Sequence, residues 1–79
     1  MELRLLFFGP LAEIAGKSEI IIKNRDISDI KGLTVYINQR FPQMAEFNYQ
    51  VSVNKNIVRE NFKLTDKDEV ALLPPFAGG

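Results

Sequence analysis

The chain has 79 residues, ten Lys and Arg against ten Asp and Glu, 46% hydrophobic residues, and neither cysteine nor histidine. A chain this short forms one small domain that buries roughly 60–65% of its unfolded surface, enough for a modest core. Balanced charge argues against a nucleic-acid or anionic-membrane surface, and the missing residue types exclude disulfides, thiolate metal sites and imidazole bases or ligands. The start, MELRLLFF, has no basic segment or small-residue cleavage site, and no apolar stretch reaches the length of a membrane span. A cytoplasmic location is expected.

ELRLLFF (2–8) is dense in apolar residues and reads as a strand. Gly9-Pro10 breaks it. Pro10 suits the first turn of a short helix carrying Leu11 and Ile14, and Gly16 is placed to end it. SEIIIK (18–23) is a second strand, rich in β-branched residues. The period then changes. Ile27, Ile30, Leu33, Ile37 and Phe41 recur at three and four, as one face of a helix does. Asp26 is the expected N-cap, with Asp29 three residues on to complement the helix dipole. Gly32 weakens this helix by about 1 kcal/mol relative to alanine, and Pro42 marks its end. QVSVN (50–54) alternates as a strand, Lys55-Asn56 is the expected turn, and IVR (57–59) returns. LTDKDE is polar and leads into EVALLP (69–74), the last strand.

Two strands, a helix and further strands make an α+β domain, with a mixed sheet of about five strands packed on one main helix plus a short helix. The first and last strands are the most apolar and are expected at the sheet centre. This is the ubiquitin-like β-grasp arrangement, assigned to residues 1–75, with 76–79 as a flexible C-terminal diglycine tail.

No ordinary active site is found. Without His or Cys there is no Ser-His or Cys-His pair, and no glycine-rich phosphate cradle follows a strand. Asp66, Asp68 and Glu69 read as a solvated turn, because their spacing fits no calcium loop, and Glu13 reads as a surface carboxylate. No metal site is expected. The reactive group that remains is the terminal carboxylate. Pro74 and Pro75 stiffen the chain beside the last strand, and Phe76, Ala77, Gly78 and Gly79 can project about 13 Å. Gly78 and Gly79 lack a Cβ and can enter a narrow slot in another protein.

Side-chain parity adds a surface. Leu3, Leu5 and Phe7 are expected to point inward, while Leu6 and Phe8 share the outward face of Glu2 and Arg4. In the last strand Val70 and Leu72 take the core, leaving Leu73 on the other face, and Ile57 shares parity with Arg59. Leu6, Phe8, Ile57, Leu73 and Phe76 are thus expected to form an apolar patch at the root of the tail, beside Pro74 and Pro75.

LRLLFFGPLAEIAG, DISDI, VSVN, LTDKDEVALLPP and the terminal GG together resemble the MoaD-type sulfur carriers, the small subunits of molybdopterin synthase. The likeness spans nearly the whole chain and is most specific in DEVALLPPFAGG. Two departures stand out. Ala12 precedes Glu13 where the family often has arginine, and Gly9-Pro10 is unusual after the first strand.

The resemblance implies that an E1-like adenylyltransferase uses ATP to join AMP to Gly79, and that sulfur then replaces AMP to give a thiocarboxylate. The tail would enter the large subunit of molybdopterin synthase, in a heterotetramer of two small and two large subunits. There it would donate sulfur to cyclic pyranopterin monophosphate. The chain itself would bind no cofactor, and would be a sulfur-donating subunit without a catalytic site of its own. A thiamine-pathway sulfur carrier, or a ubiquitin-like modifier conjugated through Gly79, begins from the same terminal chemistry.

Overall fold

Strict alternation makes β1 (Glu2–Phe7) two-faced. Leu3, Leu5 and Phe7 are buried, whereas Arg4 is exposed and Leu6 half-buried. β2 (Glu19–Lys23) repeats the pattern with Ile20 and Ile22 inside. Between them lies α1 (Pro10–Ala15), where Pro10 occupies the first turn and loses no intrahelical bond. Gly16, at φ 76°, ends this helix in the left-handed conformation and donates its N–H to the Ala12 carbonyl at 2.9 Å. The computed structural model describes residues 1–75, so the assigned tail of Phe76, Ala77, Gly78 and Gly79 lies outside the described residues.

α2 (Ile30–Arg40) buries Leu33 and Ile37 against the sheet. Its N-cap is Asp29, not the expected Asp26: the Asp29 carboxylate accepts the Gly32 N–H at 2.9 Å. The cause is tertiary. Ile30 N–H donates to the Phe62 carbonyl and Leu64 N–H to the Ser28 carbonyl, holding residues 28–30 extended until the helix can begin. Ile27 is still buried, but from the loop before the helix. Beyond Arg40, a 3-10 helix that the periodicity did not reveal (Pro42–Glu46) inserts Met44 into the core.

β3 (Gln50–Val53) and β4 (Asn56–Val58) form a hairpin whose turn is Asn54-Lys55, one residue earlier than expected. Both turn residues have positive φ, 50° and 73°, as a two-residue type I′ turn requires. β5 (Glu69–Leu73) completes a five-stranded sheet in the order β2-β1-β5-β3-β4, parallel between β1 and β5 and antiparallel elsewhere. The two most apolar strands do sit inside the sheet, with β5 at its centre. This is the mixed sheet on one main helix expected of a β-grasp.

The acidic turn before β5 is a correction. Asp68 is not a solvated charge; it is 8% exposed and works as a hub. Its carboxylate accepts from Thr65 N–H at 2.8 Å, Thr65 Oγ1 at 3.1 Å and Asn54 Nδ2 at 2.9 Å. Asn54 Oδ1 in turn accepts the Glu69 N–H at 3.0 Å, so one buried carboxylate ties the β3–β4 turn to the start of β5. Burial pushes the Asp68 carboxyl up, but these hydrogen bonds outweigh it and hold the group below its ordinary range. Asp66 accepts the Glu2 N–H at 2.8 Å, and Glu69 pairs with Arg4.

Candidate functional site

The face of the sheet opposite α2 is built by residues that alternate with the core. Cross-strand register aligns them. Leu6 lies opposite Ala71, Ala71 opposite Ser52, and Ser52 opposite Ile57, so four strands contribute one row. Three strand spacings separate its ends, about 14 Å. Ala71 and Ser52, each 7% exposed, form the low middle, and Leu6 and Ile57 stand at either side. Ala71 and Ser52 are additions to the patch expected from the sequence, and each has the same outward parity as Leu73.

A second row lies nearer the C-terminal end of β5. Phe8, just past β1, is 46% exposed and donates its N–H to the Leu72 carbonyl at 3.2 Å. Leu73 is half-buried opposite Gln50, Pro74 is half-buried and Pro75 is exposed. The structure therefore brings Leu6, Phe8, Leu73 and Pro74 together. Ile57 stands apart, two strands from β5, about 10 Å. Phe76, the remaining member of the expected patch, lies outside the described residues.

Gly9 explains one of the sequence's departures. Its φ of 58° with ψ of −136° is a combination open to glycine alone, and a Cβ built there would stand 3.3 Å from Pro74 Cγ. The Gly9-Pro10 turn thus lets the end of β1 lie flush against Pro74. Sequence reading saw a breaker here; the contact across the sheet was hidden.

On its other side the apolar face is bounded by charge. Arg4 Nε contacts Glu19 at 2.6 Å and Arg4 Nη1 contacts Glu69 at 3.1 Å. The hydrogen bond from Arg4 holds the Glu19 carboxyl below its usual range. These groups are exposed, so their value is in framing the face more than in stability.

A concavity of about 760 Å³ lies between α2 and the β3–β4 hairpin, lined by Ile57 and, among others, Thr34, Asn38, Phe47, Tyr49 and Asn61. The Tyr49 hydroxyl donates to Asn38 Oδ1 at 3.4 Å, and burial pushes its pKa up. Among the described residues no three acidic, His or Cys side chains gather into a metal-binding group, and no helix is long and apolar enough to cross a membrane. What the described surface offers is an apolar face that runs up to Pro74 and Pro75, where the described residues end.

Residues 5–79 match the model of the ThiS family. The chain belongs to the ThiS family. Across its whole length it is 29% identical to the molybdopterin synthase sulfur carrier subunit of Mycobacterium tuberculosis, covering 99% of that protein. It is also similar to subunit 1 in a complex of subunits 1 and 2 of the molybdopterin-converting factor from Helicobacter pylori, with a TM-score of 0.73, 28% identity and both chains fully covered. Two further structures share the fold. A putative molybdopterin converting factor subunit 1 from Pyrococcus furiosus superposes with a TM-score of 0.86 at 21% identity, over 96% of this chain and 99% of that one. The small archaeal modifier protein 1 of Haloferax volcanii superposes with a TM-score of 0.81 at 20% identity over the full length of both. These relatives agree with the likeness to molybdopterin synthase small subunits read from the sequence.

Proposed function

We propose that this ThiS-family chain is the sulfur carrier of molybdenum cofactor biosynthesis and acts through Gly79. The observation that carries the reading is the apolar face of Leu6, Phe8, Leu73 and Pro74 at the point where the chain leaves the sheet toward Gly78-Gly79. A face in that position seats a large subunit while the following residues reach its active site.

The chemistry follows from the poor electrophilicity of a carboxylate. The Gly79 carboxylate attacks the α-phosphate of ATP on an E1-like adenylyltransferase and releases pyrophosphate. A sulfide-level nucleophile then displaces AMP, leaving a thiocarboxylate. Sulfur is more polarisable than oxygen, so this group attacks cyclic pyranopterin monophosphate more readily than the carboxylate would. A chain without cysteine carries sulfur by this route and no other. Leu6, Phe8, Leu73, Pro74 and Pro75, with Ile57 at the margin, would contact the large subunit, and Phe76, Ala77 and Gly78 would thread into it. Two small and two large subunits would assemble.

The fold shared with a small archaeal modifier protein supports a second reading. A lysine amine could take the same acyl-adenylate, forming an isopeptide bond at Gly79. Intact-mass analysis of the chain isolated from its native cell separates the readings. A gain equal to the sulfur–oxygen difference supports the carrier, and covalent adducts to other proteins support the modifier. Transfer of that sulfur to the thiamine precursor, in place of the pterin, would move the chain to the thiamine pathway.

A further inference from the structure

β2 closes one side of the sheet, and among the described residues its sole strand partner is β1. The direction of its peptide groups follows from the ladder. Phe7 N–H donates to the Ser18 carbonyl at 2.9 Å, and Asn24 N–H donates to the Met1 carbonyl at 3.1 Å. Hydrogen-bonded pairs recur at every second residue, so Ser18, Ile20, Ile22 and Asn24 direct their peptide groups toward β1. Glu19, Ile21 and Lys23 therefore direct N–H and C=O to the free edge. The same three residues are exposed on the face away from the core, and Ile21 is 48% exposed, a large apolar side chain set between two charges.

A free edge is a template for another strand. This one, Glu19-Ile20-Ile21-Ile22-Lys23, is its own antiparallel complement. About a two-fold axis perpendicular to the sheet and midway between the two copies, Ile21 meets Ile21 of the second copy. Glu19 meets Lys23 of that copy, and Lys23 meets its Glu19. All three residues point their peptide groups outward, so each of these pairs exchanges both of its N–H···O bonds. Both end pairs oppose unlike charges, the favourable cross-strand arrangement. Sliding the copies by two residues, the smallest shift that keeps outward peptide groups opposed, sets Ile21 against a charged residue and loses both Glu19–Lys23 pairs. One slide opposes Lys23 to Lys17, and the other opposes Glu19 to Arg25, which lies in the bend beyond β2 and not on the strand. The register is thus selected by charge as well as by hydrogen bonding.

We propose that β2 pairs with β2 of a second copy of this chain, in antiparallel register centred on Ile21, joining two five-stranded sheets edge to edge. The helices of both copies then lie on the same side of the extended sheet. β1 stands between β2 and β5, so the pairing leaves Leu73 and Pro74 open. The proposal therefore stands independently of the sulfur-carrier reading.

Strand pairing over five residues is a small interface, so association is sought from about 10 μM to about 1 mM chain. Sedimentation equilibrium of the full chain is expected to show a monomer–dimer equilibrium in that range. Amide exchange at Glu19, Ile21 and Lys23 should slow as concentration rises. Lys23→Glu alone, or Glu19→Lys alone, sets like charges opposite each other at both ends and should weaken the dimer about tenfold. An equimolar mixture of the two variants opposes unlike charges again and should form a heterodimer of wild-type strength, which a merely misfolded variant would not do. A wild-type chain that stays monomeric at 1 mM overturns the proposal. So does a dimer indifferent to both swaps, or a mixture that fails to recover association.

Discussion

Phe7 and Phe8 are adjacent in sequence and opposite in environment, which makes them a test of the face assignment. Phe7 is 2% exposed and meets Phe41 edge to face, with ring centroids 5.6 Å apart and planes at 80°. Phe7→Ala removes a buried ring and leaves a cavity beneath β1, at a cost of about 3–5 kcal/mol including the aromatic contact. A domain of this size has a total stability of roughly 4–12 kcal/mol. At about 4–8 °C per kcal/mol, the melting temperature should fall by at least about 12 °C. Phe8 is 46% exposed, and its truncation should stay within about 0.5 kcal/mol, or about 4 °C. Phe8→Ala should instead weaken binding to a molybdopterin synthase large subunit more than about tenfold, since truncating an interface anchor commonly costs about 2 kcal/mol or more. Urea melts of each variant, run beside calorimetric titration of the large subunit, read both quantities. If Phe8→Ala destabilises the domain as much as Phe7→Ala, the face assignment is wrong. If Phe8→Ala binds like wild type, the apolar face is not the docking surface.

Gly9→Ala should cost about 1–3 kcal/mol, because it forces an L residue into a glycine-only conformation and presses on Pro74. Gly9→Asn should be no better, since its tolerance is for the αL region and not for ψ of −136°; an unchanged urea midpoint for either would refute the strain argument. The Asp68 carboxyl is held below its ordinary value, so its contribution is present above the unfolded pKa of about 3.9 and is lost as pH falls through the lower folded value. Wild-type stability should therefore decline below about pH 4, and Asp68→Asn should flatten that decline while lowering stability at pH 7; an acid limb identical in both proteins would show that Asp68 is not linked to folding. Removing Gly79 should abolish ATP-dependent adenylation while leaving the melting temperature unchanged, and a truncated chain that still forms the acyl-adenylate would sink the terminal-glycine mechanism.

Local periodicity carried much of this architecture in the sequence. Alternation around Glu2 and Arg4 sorted Leu3, Leu5 and Phe7 from Leu6 and Phe8, because neighbouring strand side chains must point to opposite faces. The three-and-four spacing of Ile30, Leu33 and Ile37 located the long helix for the equivalent reason. Gly9-Pro10, Gly16 and Pro42 divided the elements because proline fixes φ and lacks an N–H, whereas glycine admits the positive φ at which a strand or helix stops. Tertiary structure decided where two local solutions were equally good, or where a partner lay far along the chain. Asp26 and Asp29 are both competent caps; hydrogen bonds from the 62–64 segment hold residues 28–30 extended and give the role to Asp29. An aspartate in LTDKDE looks solvated until the β3–β4 turn folds against it and Asn54 reaches Asp68. Gly9 reads as a breaker until β1 and β5 pair in parallel and bring Pro74 to its side. Ala71 and Ser52 become the floor of the outer face only when β5 lies between β1 and β3. Which strands neighbour one another is a property of the whole chain's packing, and the apolar face proposed for docking exists only as a consequence of that order.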